Sequence, residues 1–206
     1  MQAIGFNEHY GLQTAVFEGR KTMTRRAEKG FENLEEGNFC FQKKRNQVVL
    51  YGEKGTPIET IKLRYKIGEI VAIRQCYGDI IDQLDDRMKE YVIGYYSGSK
   101  AWTNKLFVCP DLMVKHIRIT DTKVERLQSI SNDDCMKEGI IRRDDMINSR
   151  MEDVVRYTFK NSFVNHVYKT YPTPRDAFAA LIDKVSGKGT WNRNQFMPAY
   201  TFELID

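Results

Sequence analysis

Apolar and polar side chains alternate over Ile58–Tyr65 and again around Ile117 and Ile119, and this period of two predicts β-strands in both places. Val48–Tyr51 is a short β-prone run, and the turn residues between Gly52 and Pro57 would join it to Ile58–Tyr65 as a hairpin. A turn at Gly68 precedes Ile70–Arg74, whose apolar content predicts a buried strand. Residues 80–90 are acidic and read as a surface loop or short helix, while Tyr91–Tyr96 and Leu106–Val108 are weaker strand candidates. Val114–Leu127 reads as a longer strand region bending at Asp121, and the final strand covers Pro198–Ile205.

Other stretches carry the helical period. A first helix is expected from Asn7, a good N-cap, to Phe17 or Glu18, with Gly19 in the left-handed position that ends it. Ser131 opens a capping sequence for a short helix that stops at Gly139. Met151, Val154, Val155, Thr158, Phe159, Phe163 and Val167 fall at helical spacing. Thr173 followed by Pro174 starts a further helix, whose apolar face is Ala177, Phe178, Leu181, Ile182 and Val185 and which Gly187 terminates. Short strands interleaved with a few helices predict an α+β fold around a curved sheet or small barrel, one domain over residues 1–206, with residues 140–175 as a helical insertion or a helical layer.

The chain of 206 residues is 41% hydrophobic, enough for a full core, and its 29% charged content is too high for a membrane protein and too mixed in sign for disorder. No apolar run approaches a membrane span and the N-terminus lacks the apolar centre of a signal peptide, so a cytoplasmic protein is expected. The four cysteines stand far apart and the three histidines form no ligand pattern. Free, mostly buried thiols are therefore expected, with neither a metal nor a cofactor.

The net charge of +4 changes the picture less than its distribution. Cations gather at residues 20–29, at Lys43-Lys44-Arg45 and at Lys62, Arg64 and Lys66, and acidic residues gather elsewhere, a split that suits either a basic face for nucleic acid or ordinary solvated charge. The densest cluster is Gly19-Arg20-Lys21-Thr22-Met23-Thr24-Arg25-Arg26. It follows a helix C-terminus, whose dipole favours cations, but that does not account for four of them with two threonines. In extended backbone Arg20, Thr22 and Thr24 would share one side, with Lys21 and Arg25 on the other.

Gly19-Arg20-Lys21-Thr22-x-Thr24-x-Arg26 resembles the GxKTxTxR signature of ASCH domains, which share the PUA-like β-barrel. Tyr65–Arg74 resembles the strand that follows in that family. Val124–Ser131 with Glu138-Gly139-Ile140, and Gly187–Asn194 with Tyr200-x-Phe202-Glu203, resemble segments of its phage and prophage-type members. These segments stand in family order along nearly the whole chain. The resemblance implies a PUA-like barrel whose basic segment lines a cleft for RNA or a modified nucleoside. One ASCH subgroup is similar to amidohydrolases that deacylate acetylated cytidine, and its functional Lys, Thr and Glu fall here on Lys21, Thr24 and Glu138.

Those three residues would make a minimal acyl-transfer site. The Thr24 hydroxyl is a weak nucleophile until a base takes its proton, and Lys21 can be that base if desolvation or the neighbouring Arg20, Arg25 and Arg26 lower its pKa. Glu138 would either protonate the leaving amine or hold the substrate's exocyclic nitrogen. The alternative is a partly buried Lys21–Glu138 ion pair with threonines that only stabilise a strand. Arg20, Thr22, Arg25, Arg26, Trp191 and Asn194 are the candidate ligand-binding residues; Trp191 would either stack on a base or pack in the core. Three functions follow as expectations: an RNA- or nucleotide-binding domain using a basic cleft, an amidohydrolase acting on an acetylated cytidine-type nucleoside, and a phage-derived module that binds an acidic protein partner.

Overall fold

The computed structural model describes residues 1–52, 54–147, 150, 152–160, 163, 164 and 167–206. Strand β1 (Gln2–Ile4) leads through a single 3-10 turn, Glu8–Tyr10, into α1 (Leu12–Phe17). The expected helix from Asn7 is therefore interrupted. Gly11 adopts φ +69°, and the side chain that caps the first turn of α1 is that of Glu8, not Asn7, accepting from the Thr14 amide at 2.9 Å and its hydroxyl at 2.7 Å. Gly19 ends the segment at φ +70°, as expected. Strand β2 (Met23–Arg25) follows, then a meander of β3 (Phe39–Gln42), β4 (Gln47–Tyr51) and β5 (Pro57–Lys62). The Lys43–Arg45 run forms the tight turn between β3 and β4, where Lys43 pairs with Asp121.

Strand β6 (Ile70–Ile73) precedes α2 (Tyr77–Ile80) and α3 (Asp86–Tyr96). Tyr91–Tyr96, expected as strand, is thus helical: the Asp85 carboxylate caps the helix by accepting from the Met88 amide at 2.8 Å, and Val92 is its buried contact. Leu106–Val108 forms no strand. The long strand β7 (His116–Arg126) leads to α4 (Asn132–Lys137), capped by Ser131 as expected, with its hydroxyl accepting from the Asp134 amide at 3.1 Å.

Beyond α4 the chain departs from the helical expectation for residues 140–175. Strands β8 (Ile141–Ile147) and β9 (Asp153–Thr158) pair as an antiparallel hairpin, followed by the short pair β10 (Phe163–Val164) and β11 (Val167–Tyr168). Of the positions that suggested a helix, Met151 and the side chains of Phe163 and Val167 lie outside what is described. Val154 and Val155 point to opposite sides, Val155 being 42% exposed, where a helix would have buried both on one face. β-branched and aromatic residues in this stretch favour the strand once β8 supplies a partner. Helix α5 (Pro174–Ser186) begins as expected, Thr173 capping Asp176; α6 (Thr190–Arg193) and β12 (Phe196–Leu204) complete the chain.

The fold is mixed α+β. One sheet has the order β1-β6-β7-β12-β2, antiparallel except for the parallel β1–β6 pair, and the meander forms a second sheet. Val48 and Leu50 of β4 share one core with Ile4, Val71, Ile73, Ile117 and Ile119 of the larger sheet, so both sheets contribute to a single core. Ala3 and Ala72, paired across β1 and β6, face the other way, into a smaller cluster with Tyr77, Ile80 and Val92. Among the described residues no strand pairing closes the larger sheet. A side chain links its two edges: Arg26, just past β2, donates from its guanidinium to the Gly5 carbonyl, just past β1, at 2.7 Å. The cysteines are free, but only Cys135 is buried and Cys40 is exposed, because alternation along β3 turns it away from the core. No helix among the described residues is long and apolar enough to cross a membrane.

Candidate functional site

The basic segment is a strand for only three residues, so alternation of sides applies only from Met23 to Arg25. Lys21 lies before it, its amide bonded to the Ala15 carbonyl at 2.8 Å, and the next amide, Thr22, bonds to the Lys137 carbonyl at the end of α4 at 2.9 Å. That tie brings Glu138, the residue after α4, against Lys21.

Lys21 is 2% exposed and Glu138 4%. The Lys21 ammonium donates to Glu138 Oε2 at 2.7 Å, to the Glu138 carbonyl at 2.9 Å and to the Met23 carbonyl at 2.8 Å, so each of its three N–H groups has an acceptor. Arg25 donates to Glu138 Oε1 at 3.0 Å, pairs with Glu125 and stands 3.6 Å from Asp134; Lys123 bridges Asp134 at 2.5 Å and Glu125 at 3.0 Å. The cations Lys21, Arg25 and Lys123 therefore alternate with Glu138, Glu125 and Asp134. Burial depresses the Lys21 pKa, and Glu138 opposes that shift. Burial acts on Arg25 in the same direction, but the carboxylates of Glu138 and Glu125 outweigh it and hold Arg25 above its usual value.

Lys21, Thr24 and Glu138 line one cavity of about 340 Å³ between β2, the Gly5–Asn7 segment, α1 and α5. Phe6, Leu12, Phe178, Leu181 and Ile182 make its apolar wall, and Arg26, Glu28 and Arg64 its polar side. Thr24 is 4% exposed, and no hydrogen bond from another described residue engages its hydroxyl. Glu28 accepts from the Tyr200 hydroxyl at 2.5 Å and from the Arg64 amide at 3.1 Å; burial raises the pKa of both Glu28 and Tyr200.

The remaining candidates divide. Arg25 and Arg26 line the cavity. Arg20 does not; it pairs with Glu18 on the surface. Thr22 also lies off the cavity, its backbone joined to Lys137 and Phe202. Trp191 and Asn194 are not brought to the cavity either. The Trp191 ring packs edge-on against Phe178 with centroids 6.2 Å apart, and its amide donates to Asp183 at 2.8 Å. Asn194, at φ +44°, accepts from the Gln128 amide at 2.8 Å and so fastens α6 to the end of β7. The sequence reading missed Phe6, Glu28, Arg64 and Phe178. They lie outside the basic motif, and only the packing of β1, α5 and the meander brings them to the cavity.

Compared with protein-family models, with curated proteins and with solved structures, the chain finds no match.

Proposed function

We propose that this chain is an ASCH-type amidohydrolase with a PUA-like arrangement of its two sheets, deacylating an acetylated cytidine-type nucleoside. The observation that carries the reading is that Lys21, Thr24 and Glu138, drawn from distant parts of the chain, line a single cavity with an apolar wall. The Arg26 side-chain bond to the Gly5 carbonyl, which links the ends of β2 and β1, supports the barrel-like arrangement.

The chemistry follows from the hydrogen bonds. A fully engaged ammonium has no lone pair, so Lys21 acts as a base only after one proton crosses the 2.7 Å to Glu138 Oε2. Burial, which depresses the Lys21 pKa, weakens the hold of Lys21 on that proton. Neutral Lys21 takes the Thr24 hydroxyl proton as Thr24 Oγ1 bonds to the acyl carbon. When the carbon–nitrogen bond breaks, the leaving amine takes the proton from Glu138, which restores the carboxylate. The Lys21 proton then crosses to Glu138 again; water attacks the acyl-Thr24 ester and gives one proton to Lys21, and as the ester bond to Thr24 breaks Glu138 returns its proton to the Thr24 oxygen, releasing acetic acid and restoring the hydroxyl and the carboxylate.

RNA binding along the basic segment, or capture of an acidic protein there, has less support. Lys21 and Arg25 sit in buried ion pairs and Arg20 pairs with Glu18, so those three charges are already compensated. The test is release of acetate from acetylated cytidine by the wild type, Lys21→Ala and Thr24→Val proteins, with folding followed by circular dichroism. The reading expects a loss of about 100-fold or more in each variant; a variant that retains the wild-type rate overturns it.

A further inference from the structure

Next to this cavity, and sharing Gly5, Arg26 and Arg64 with it, is a second hollow of about 220 Å³. Four cations line it, Arg26, Arg64, Arg74 and Lys105, together with Tyr65, and no carboxylate does. They come from four places in the chain: the end of β2, the link from β5 to β6, the residue after β6, and the loop before β7. None of the four enters an ion pair among the described residues. Lys105 is held instead by neutral acceptors, the Phe6 carbonyl and Gln13 Oε1. Arg26 gives one guanidinium nitrogen to the Gly5 carbonyl, yet its Nε is buried without a partner, and so is the Nε of Arg74.

Such a gathering of cations is costly without an anion to balance it. Like charges repel, and a buried donor without an acceptor costs the desolvation it underwent. Burial lowers the pKa of both Arg26 and Lys105, and neighbouring cations lower them further: Arg64 acts on Arg26, and Arg26 on Lys105. The carboxylates that reach these two cations do so from outside the hollow: Glu138 and Glu28 act on Arg26, and Glu8 and Asp79 on Lys105. Glu28 is already bonded to Tyr200 and to the Arg64 backbone. The contrast with the buried pairs of the first cavity is direct. There Lys21 and Arg25 each form an ion pair with a carboxylate, and here, among the described residues, none of the four cations does.

We infer that Arg26, Arg64, Arg74 and Lys105 form a phosphate subsite, so that the ligand of the adjoining cavity is a nucleotide and not a free nucleoside. A phosphate supplies several acceptor oxygens and about two negative charges, which meets both the unpaired Nε donors and the uncompensated charge. Arg26 belongs to both cavities and spans from base to phosphate. The inference rests on the first cavity being a base pocket, as proposed above, but it does not need the hydrolysis.

Calorimetric titration of the full chain with cytidine and with cytidine 5′-monophosphate tests it, alongside phosphorus NMR of added inorganic phosphate. Expected are tighter binding of the monophosphate by about tenfold or more, and broadening of the phosphate line. Arg74→Gln and Lys105→Gln should each shrink the ratio of the two affinities towards one; Lys105 makes only neutral contacts, so its variant guards against a misfolded Arg74 variant. Equal affinities together with an unbroadened phosphate line overturn the inference. A protein that hydrolyses nothing yet keeps the ratio removes the hydrolase reading and leaves the subsite standing, whereas hydrolysis without the ratio does the reverse. A short cytidine-containing RNA that binds more tightly than the monophosphate assigns the phosphate to a polynucleotide, and the opposite order to a free nucleotide.

Discussion

The Lys21 ammonium and the Glu138 carboxylate stand 2.7 Å apart although 117 residues separate them in the chain. The two oxygens of Glu138 are divided between two cations, Oε2 facing Lys21 and Oε1 facing Arg25. Glu138 is therefore the hinge of the buried charge network, and the consequences of removing either partner are unequal.

Replacing Glu138 by Ala strands Lys21 without a carboxylate and deprives Arg25 of one of its own. A loss of about 3–5 kcal/mol of unfolding free energy is expected, as for other buried pairs broken from one side. Lys21→Met should lose less, because Arg25 still neutralises Glu138. Urea unfolding of both variants checks the order, and a Lys21→Met protein as unstable as Glu138→Ala contradicts it.

Gly139, beside Glu138, has φ +99°, and a Cβ there would touch Leu12, Ala15 and the Lys21 stem at 3.4–3.6 Å, which is ordinary contact. The cost of Gly139→Ala is thus one of backbone conformation, about 1–3 kcal/mol. Thermal unfolding measures it. Since the same backbone positions Glu138, the hydrolase proposal also expects the variant to lose activity on acetylated cytidine.

The pH dependence of stability should show two carboxylates of opposite sign. Against the effect of its burial, Lys123 holds the Asp134 pKa below its ordinary 3.8, so the folded state binds fewer protons than the unfolded one; the stabilisation is complete above 3.8 and is lost as pH falls through the folded value. Burial raises Glu28 above its ordinary 4.5, so there stability falls as pH rises from that value through the folded one. Urea unfolding from about pH 2 to about pH 7 spans the range in which carboxylates titrate. It should find the acid-side loss reduced in Asp134→Asn and the later decline reduced in Glu28→Gln. If both variants keep the wild-type profile, these environments are misassigned.

Trp191 packs on Phe178 and lines neither cavity. Trp191→Ala is expected to cost about 2–3 kcal/mol of stability through lost packing while ligand affinity stays within a factor of about three. Titration calorimetry, which does not depend on the indole's fluorescence, is the suitable measurement. A tenfold loss of affinity in a folded protein would return Trp191 to the binding site.

Much of this molecule follows from local chemistry. The hairpin of β4 and β5, the buried β6, the long β7, the Ser131 and Thr173 caps and the stops at Gly19 and Gly139 are set by alternation, capping oxygens and residues that tolerate positive φ, all of which act over a few neighbouring residues. Lys21, Thr24 and Glu138 were legible as candidates only through the resemblance of their segments to ASCH motifs, not through local chemistry. What the tertiary structure decided is where charges meet and which period wins. Residues 151–169 satisfy a helical spacing, yet β9 pairs with β8, because a strand's hydrogen bonds depend on a partner that periodicity does not show. The four cations of the basic segment look alike in sequence but end in different environments: Arg20 on the surface with Glu18, Lys21 and Arg25 in buried ion pairs, and Arg26 at the hollow it shares with Arg64, Arg74 and Lys105. Charge interactions reach across space and not along the chain, so only the folded chain determines which cations pair with a carboxylate and which do not.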